Sequence, residues 1–538
     1  MAISAKTVGE ALRLRRPDEP EVRRVVGRWY GGLASVVLGV LLLAVVGAAL
    51  GPRWDPEPLG EQIEVARAET AITGAPALPH YETKTSIVTV RLTDEVSVRA
   101  RIIEPIGTRG PVPGVVFVHG AGTGRFAEAF VDHAVRLAEA GIATMVPDKR
   151  MDTYSMRFRD YVGMAADYEK SVELLRARPN VDASKVGVYA ESEGGWIAPV
   201  MGATDPDLAF LVLVSNPVVP PRQQAAFAAD NYLRNTGVPH GVFRAIPRAV
   251  GMSIPGGGFD YVDFDVQPFL EQLQQPLFVA YGTADASMPI VQGAQQILAA
   301  ADVAGNDAVI VRYYAGADHG VKVDRRVLPE FLDDVTGWIL GLPRTGILPP
   351  QIAGEQPHQD YLAAPVPQPR WITSGDVLIA IVLGAAALVV LPWLAVLADR
   401  AVRRARVTRR GWSPVGVRVA TEGPRWAPGI AWRLAGVGFG AIATVAALVW
   451  YIVAIGRLAM DYQQNALVVQ GGWILVRALG IWVVVAAVLL GRRMTDVRAS
   501  GGRVAPGAVR LVGTWAVGLG TLTLLVVLAY WGVFQLGI

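Results

Sequence analysis

The chain has 538 residues, 52% of them hydrophobic and only 18% charged, with a net charge of +3 and positive mean hydropathy. That balance excludes a purely soluble protein, and so small a net charge gives no reason to expect a nucleic-acid partner. Cysteine is absent, which rules out disulfides, thiolate catalysis and cysteine-based metal sites.

Crossing a bilayer as a helix takes about 20 apolar residues. Five runs qualify: Gly31–Leu50, Val377–Leu397, Ile430–Ile455, Leu467–Leu490 and Val512–Phe534. Ahead of the first lie Lys6, Arg13, Arg15, Arg16, Arg23, Arg24 and Arg28. Arg400, Arg403, Arg404, Arg406, Arg409, Arg410, Arg418 and Arg425 separate the second from the third; Arg492, Arg493, Arg498, Arg503 and Arg510 separate the fourth from the fifth. The remaining turn, around 457–464, has only Arg457. Simple alternation of the spans puts all three basic segments on one side, the cytoplasmic one by the positive-inside rule. The expected organisation is a basic cytoplasmic N-terminus (1–28), a first transmembrane helix (29–51), an extracytoplasmic domain (52–341), a Pro-rich linker (342–374) and a four-helix transmembrane region (375–538). Arg477 falls inside the fourth run, where an arginine is costly. It is expected to pair with a lipid headgroup, Asp461 or Asp376, or to snorkel outward.

Within the domain, 51–82 reads as a Pro-rich stalk with an irregular segment. Residues 85–92 and 96–103 alternate apolar and polar side chains, the period of two antiparallel strands. Val115–His119 is wholly apolar up to its histidine, as a central strand buried on both faces would be. It leads into the loop His119-Gly120-Ala121-Gly122-Thr123-Gly124. A helix to Ala140, strand 143–147, helix 160–178, strand 186–189, helix 194–202 and strand 209–214 follow, a β-α-β series that argues a doubly wound, mostly parallel sheet. Residues 217–275 break the rhythm and read as a helical cap; strand 277–281, helix 290–301, strand 308–314 and helix 328–340 resume it.

Chemistry concentrates at three strand ends. Ala190-Glu191-Ser192-Glu193-Gly194 has small residues two places before and two after a serine at a strand-to-helix corner, the pattern of a nucleophile elbow. A serine hydroxyl needs a base, and the base needs a carboxylate to hold its tautomer. Of the later histidines, His240 lies in the cap and His358 in the linker, whereas His319 follows strand 308–314. Asp285 follows the strand before it, so Ser192, Asp285 and His319 arise in that order at strand ends where open α/β sheets bind ligands. The oxyanion hole is expected from the amide of Glu193 and that of Ala121, with Gly122 as the alternative to Ala121. Glu193 itself is expected to rest near a helix N-terminus, or else to bind a cationic substrate group or tune His319.

His119-Gly120-Ala121-Gly122, Pro147-Asp148-Lys149-Arg150, the stretch Glu191–Pro199, Gly282-Thr283-Ala284-Asp285 and Asp318-His319-Gly320 resemble the bacterial α/β-hydrolases related to S9 peptidases and dienelactone hydrolases, many of them esterases. The resemblance covers 85–342. It implies an α/β-hydrolase domain joined to transmembrane helices, cleaving an ester, thioester or amide with no metal and no other cofactor. The expected partners are a small or lipid-like acyl substrate, membrane lipids and, through the C-terminal helices, a membrane protein. A peptidase, or a scaffold without activity, is the alternative. Two departures stand out: relatives usually carry Gly or His around Ala190-Glu191, and the usual Arg-Gly-x-Gly turn is replaced by Arg150-Met151-Asp152-Thr153.

Overall fold

A computed structural model describes residues 19–122, 124–154, 159–253, 263–409, 424–460 and 463–536. Residues 1–18, Thr123, Arg410, Arg418 and Asp461, all singled out in the sequence, lie outside the described residues. The chain forms two compact units: Pro52–Asn235 with Ile246–Asp376, and Met1–Gly51 with Thr236–Ala245 and Val377–Ile538.

Among its described residues the first unit has eleven strands: β1 (Thr83–Arg91), β2 (Ser97–Pro105), β3 (Val112–Val118), β4 (Ala143–Pro147), β5 (Val181–Glu191), β6 (Leu211–Val214), β7 (Leu277–Gly282), β8 (Val309–Tyr314), β9 (Lys322–Val323), β10 (Arg326–Val327) and β11 (Ile352–Gly354). β9 and β10 make a small hairpin; the other nine form one sheet in the order β1-β2-β4-β3-β5-β6-β7-β8-β11. β1 and β2 are antiparallel to their neighbours, and every pairing from β4 to β11 is parallel. This is the doubly wound, mostly parallel sheet that the sequence led one to expect.

β6, β7 and the Val186–Ala190 half of β5 are apolar throughout because helices cover both of their faces. Alternate residues of these strands and of β3 fall into two separate cores. Val116, Val118, Val188, Leu213 and Val279 belong to one, and Val115, Phe117, Tyr189, Val212 and Phe278 to the other. At about 25 cal/mol per Å² of apolar surface, each buried Val, Leu or Phe contributes roughly 1.5–3 kcal/mol.

One segment expected outside this domain, and another expected as its irregular stalk, are tied to the edge of the sheet. The stretch 342–374 was expected as a linker, yet Ile352–Gly354 pairs with Val311–Tyr313 of β8. Gln359 Oε1 accepts the amides of Val291 and Gln292 at the start of helix Ile290–Ala304. The expected stalk is likewise tied down, Ala66 N–H donating to Ile352 O and Arg312 Nε to Thr70 O. Neither segment has apolar periodicity because a short edge strand is held by backbone bonds rather than by one buried face. The insertion 217–275 supplies helix Pro221–Asn235, whose Asn231 and Gln224 amides donate to Ala286 O and Ser287 O on the loop after β7.

Among the described residues of the second unit, five helices are long and apolar enough to cross a membrane: Trp29–Leu50, Gly375–Arg406, Ile430–Leu458, Leu467–Ala499 and Ala508–Tyr530. Arg510, whose side chain is 2% exposed, finds a carboxylate partner, as buried charge requires. Arg510 Nη1 donates to Asp399 Oδ2 at 3.2 Å, and Arg403 Nε to Asp399 Oδ1 at 2.9 Å. Arg477 Nη2 donates to Gln535 O at 2.7 Å.

Candidate active site

Parallel strands all end on one edge, so the tips of β5, β7 and β8 bring their following loops together. At the tip of β5, Ser192 holds φ at +57°, a left-handed conformation that a non-glycine residue adopts only when its surroundings dictate it. Close approach enforces the bend. A Cβ on Gly194 would lie 2.7 Å from Val118 O, and one on Gly195 would lie 2.0 Å from Asn216 Oδ1. Helix Gly194–Thr204 starts immediately, with Glu193 as its N-cap residue.

After β7 and β8, His319 Nδ1 and Asp285 Oδ2 are 3.0 Å apart. The Asp285 carboxylate is fully buried, and it also accepts the Ser287 N–H at 2.9 Å. Burial pushes its pKa up, but the charge and hydrogen bond of His319, with further bonds from Ser215 and the Ser287 amide, bring it below the usual aspartate value. For His319, burial acts downward and is outweighed by the charge and hydrogen bond of Asp285, helped by Glu191 and opposed by Lys322. The imidazole therefore ends above its ordinary 6.5. Its side chain remains about a quarter exposed, so the ring reaches the open edge while its carboxylate does not.

Ser215, at the end of β6, was missed in the sequence. It is buried with φ at +47°, bonds to Asp285 and accepts the Gly320 N–H through Oγ at 3.0 Å. It thereby ties the acid loop to the base loop. A serine closing a wholly apolar strand on this edge was the signal available.

The Gly-rich loop lies against the nucleophile. A Cβ added at Gly120 would sit 3.2 Å from Ser192 Cβ and 3.7 Å from its Oγ. Ala121 and Gly122 are exposed on that loop. His119 is buried beneath it, with Nε2 donating to Pro147 O at 2.6 Å and the ring tilted against Phe130. Burial drops its pKa to about 4, so it stays neutral and structural.

Glu193 stands at a helix N-terminus, as expected, but its side chain is not used as a cap. Its side chain caps no amide and is 1% exposed, closed off from any substrate amine. Lys149 Nζ is 2.9 Å from Oε2, Arg159 Nη1 3.0 Å from Oε1, and Tyr154 Oη donates to Oε2 at 2.8 Å. Tyr161 Oη adds a longer bond at 3.4 Å. Burial pulls the Lys149 ammonium below its ordinary pKa while the charge of Glu193 opposes the fall. Glu191, on the other side of Ser192, pairs with Lys322 at 3.0 Å. Among the described residues, no group of three or more His, Asp or Glu side chains could hold a metal ion.

No family model and no curated protein matches the chain. Among solved structures it is similar to a dienelactone hydrolase from Anabaena variabilis, at 18% identity over 48% of this chain and 97% of that one, with a TM-score of 0.33. An esterase of Pyrococcus furiosus shares 16% identity over 51% and 98%, with a TM-score of 0.36. A dienelactone hydrolase-like promiscuous phosphotriesterase from metagenomic libraries shares 17% over 48% and 94%, at 0.31.

Proposed function

We propose that this is a membrane-anchored serine hydrolase that cleaves an ester or thioester through an acyl-enzyme. One observation carries the reading: a left-handed serine and a carboxylate–imidazole pair stand on the same edge of one parallel sheet. Because Asp285 engages Nδ1, the other nitrogen of His319 is left to take the Ser192 proton as Oγ attacks the acyl carbonyl. The developing oxyanion is received by the amides of Glu193 and Ala121, with Gly122 as the alternative second donor. Collapse expels the alcohol or thiol, which takes its proton from His319. Water activated by the same imidazole then releases the acyl group from Ser192.

The arginine-rich segments favour a cytoplasmic N-terminus and an extracytoplasmic hydrolase domain. That location favours lipid-like or cell-envelope acyl substrates. A fluorophosphonate probe should label the wild-type protein and leave Ser192→Ala unlabelled; persistent labelling of the variant rejects the assignment. Short p-nitrophenyl esters should turn over faster than aminoacyl anilides, and the reverse order would make the protein a peptidase.

A further inference from the structure

Lys149 touches the proposed oxyanion hole at more points than charge balance requires. Its Nζ donates to Glu193 Oε2 at 2.9 Å and to Gly120 O at 2.8 Å, and its own N–H donates to Gly124 O at 2.8 Å. The side chain is 1% exposed, and Nζ lies 4.3 Å from the centre of the Tyr154 ring. The Glu193 carboxylate already has Arg159 as a counter-ion, so neutralisation alone explains neither bond to the Gly-rich loop.

Peptide geometry supplies the explanation. In a planar trans peptide the C=O and N–H point in opposite directions. Holding Gly120 O therefore fixes the direction of the Ala121 N–H, which shares that peptide. The same ammonium grips the side chain of Glu193, whose N–H is the other proposed donor. An ammonium has three N–H bonds to distribute, enough to serve two acceptors at once.

We infer that Lys149 is the positioning residue of the oxyanion hole, setting the direction of the Ala121 amide and its spacing from the Glu193 amide. The inference rests on the serine-hydrolase reading above. Lys149 touches no substrate, so its removal should cost transition-state binding and spare the ground state.

The test uses the full-length protein, p-nitrophenyl butyrate, and an alkyl trifluoromethyl ketone of matching chain length. Ser192 Oγ adds to the ketone carbon as His319 takes its proton, and the former carbonyl oxygen becomes an oxyanion in the hole. Lys149→Met should lower kcat about 100-fold, the order seen when one oxyanion donor is lost. KM should stay within about twofold, and ketone affinity should weaken in proportion to kcat. Lys149→Arg, which keeps charge and donors, should recover part of both losses. If Lys149→Met does not fold, Lys149→Met/Glu193→Gln buries no carboxylate beside the missing ammonium and carries the same expectation. Wild-type kcat in these variants, or a fall in kcat with ketone affinity unchanged, overturns the inference. A wild-type protein that neither reacts with the fluorophosphonate nor hydrolyses any ester overturns the reading beneath it instead.

Discussion

Two carboxylates flank Ser192, and the protein treats them differently. Glu193 is sealed among Lys149, Arg159, Tyr154 and Tyr161, with its side chain 1% exposed. Glu191 is 12% exposed and pairs with Lys322, and among the described residues its buried Oε2 has no hydrogen bond. The first arrangement spends its charge inside a saturated cluster and leaves nothing for a substrate. The second leaves a charge that acts on His319 across space. Flanking position in sequence therefore says little about role; what each carboxylate faces decides it.

Breaking the catalytic side should have the largest effect. Asp285→Asn leaves the shape of the pocket but presents an amide to His319 Nδ1. The wrong tautomer then costs about 10⁴-fold in kcat. Retention of a tenth of wild-type kcat would remove Asp285 from the proposed triad. On the sealed side the effect should appear in stability. Glu193→Gln leaves Lys149 and Arg159 buried beside a neutral amide, a loss of about 3–5 kcal/mol when one member of a buried ionic cluster is removed. A lowered thermal unfolding midpoint of the detergent-solubilised chain is the expected reading; an unchanged midpoint would mean that the cluster does not hold the elbow. Ser215→Ala should be milder. It deletes one bond to an ionised carboxylate, about 1.5–3 kcal/mol, and should lower kcat roughly tenfold or more with KM little changed. A Ser215→Ala enzyme with wild-type kcat would make Ser215 a packing residue only.

The sequence made one half of this comparison legible and hid the other. Ser192, Asp285 and His319 each follow an apolar strand, and a doubly wound sheet turns that common position into a common edge. The elbow was equally readable, because Gly194 and Gly195 meet backbone and side-chain oxygens that no Cβ could approach. The Glu193 cluster was not. Lys149 is 44 positions away in the chain, and the pair exists only because β4 and β5 lie on either side of β3. Tyr154 and Arg159 come from a segment with no periodicity to mark it. The edge segments failed for a related reason: backbone bonds such as Ala66 N–H to Ile352 O depend on no particular side chain, so a Pro-rich composition reads as a tether even where it is part of the sheet.

The smallest predicted effects sharpen the comparison most. A neutral His319 is needed to take the serine proton, and its pKa lies above 6.5. Activity should therefore appear as pH rises through that raised value and vanish as pH falls below it. Asp285 fixes most of the elevation. Glu191 adds to it, because a nearby negative charge favours the imidazolium, and Lys322 subtracts from it. Glu191→Gln should consequently move the acidic limb of kcat/KM to lower pH, and Lys322→Met should move it to higher pH. The maximal rate should change little in either, since neither side chain is assigned contact with the reacting atoms. Glu193→Gln is the contrasting case, since the Glu193 charge is paired with Lys149 and Arg159 in a sealed cluster, and its limb should stay at the wild-type position. Shifts of the same sign in Glu191→Gln and Lys322→Met, or a limb in Glu193→Gln that moves as far as theirs, would erase the distinction between a carboxylate that holds the elbow and one that tunes the base.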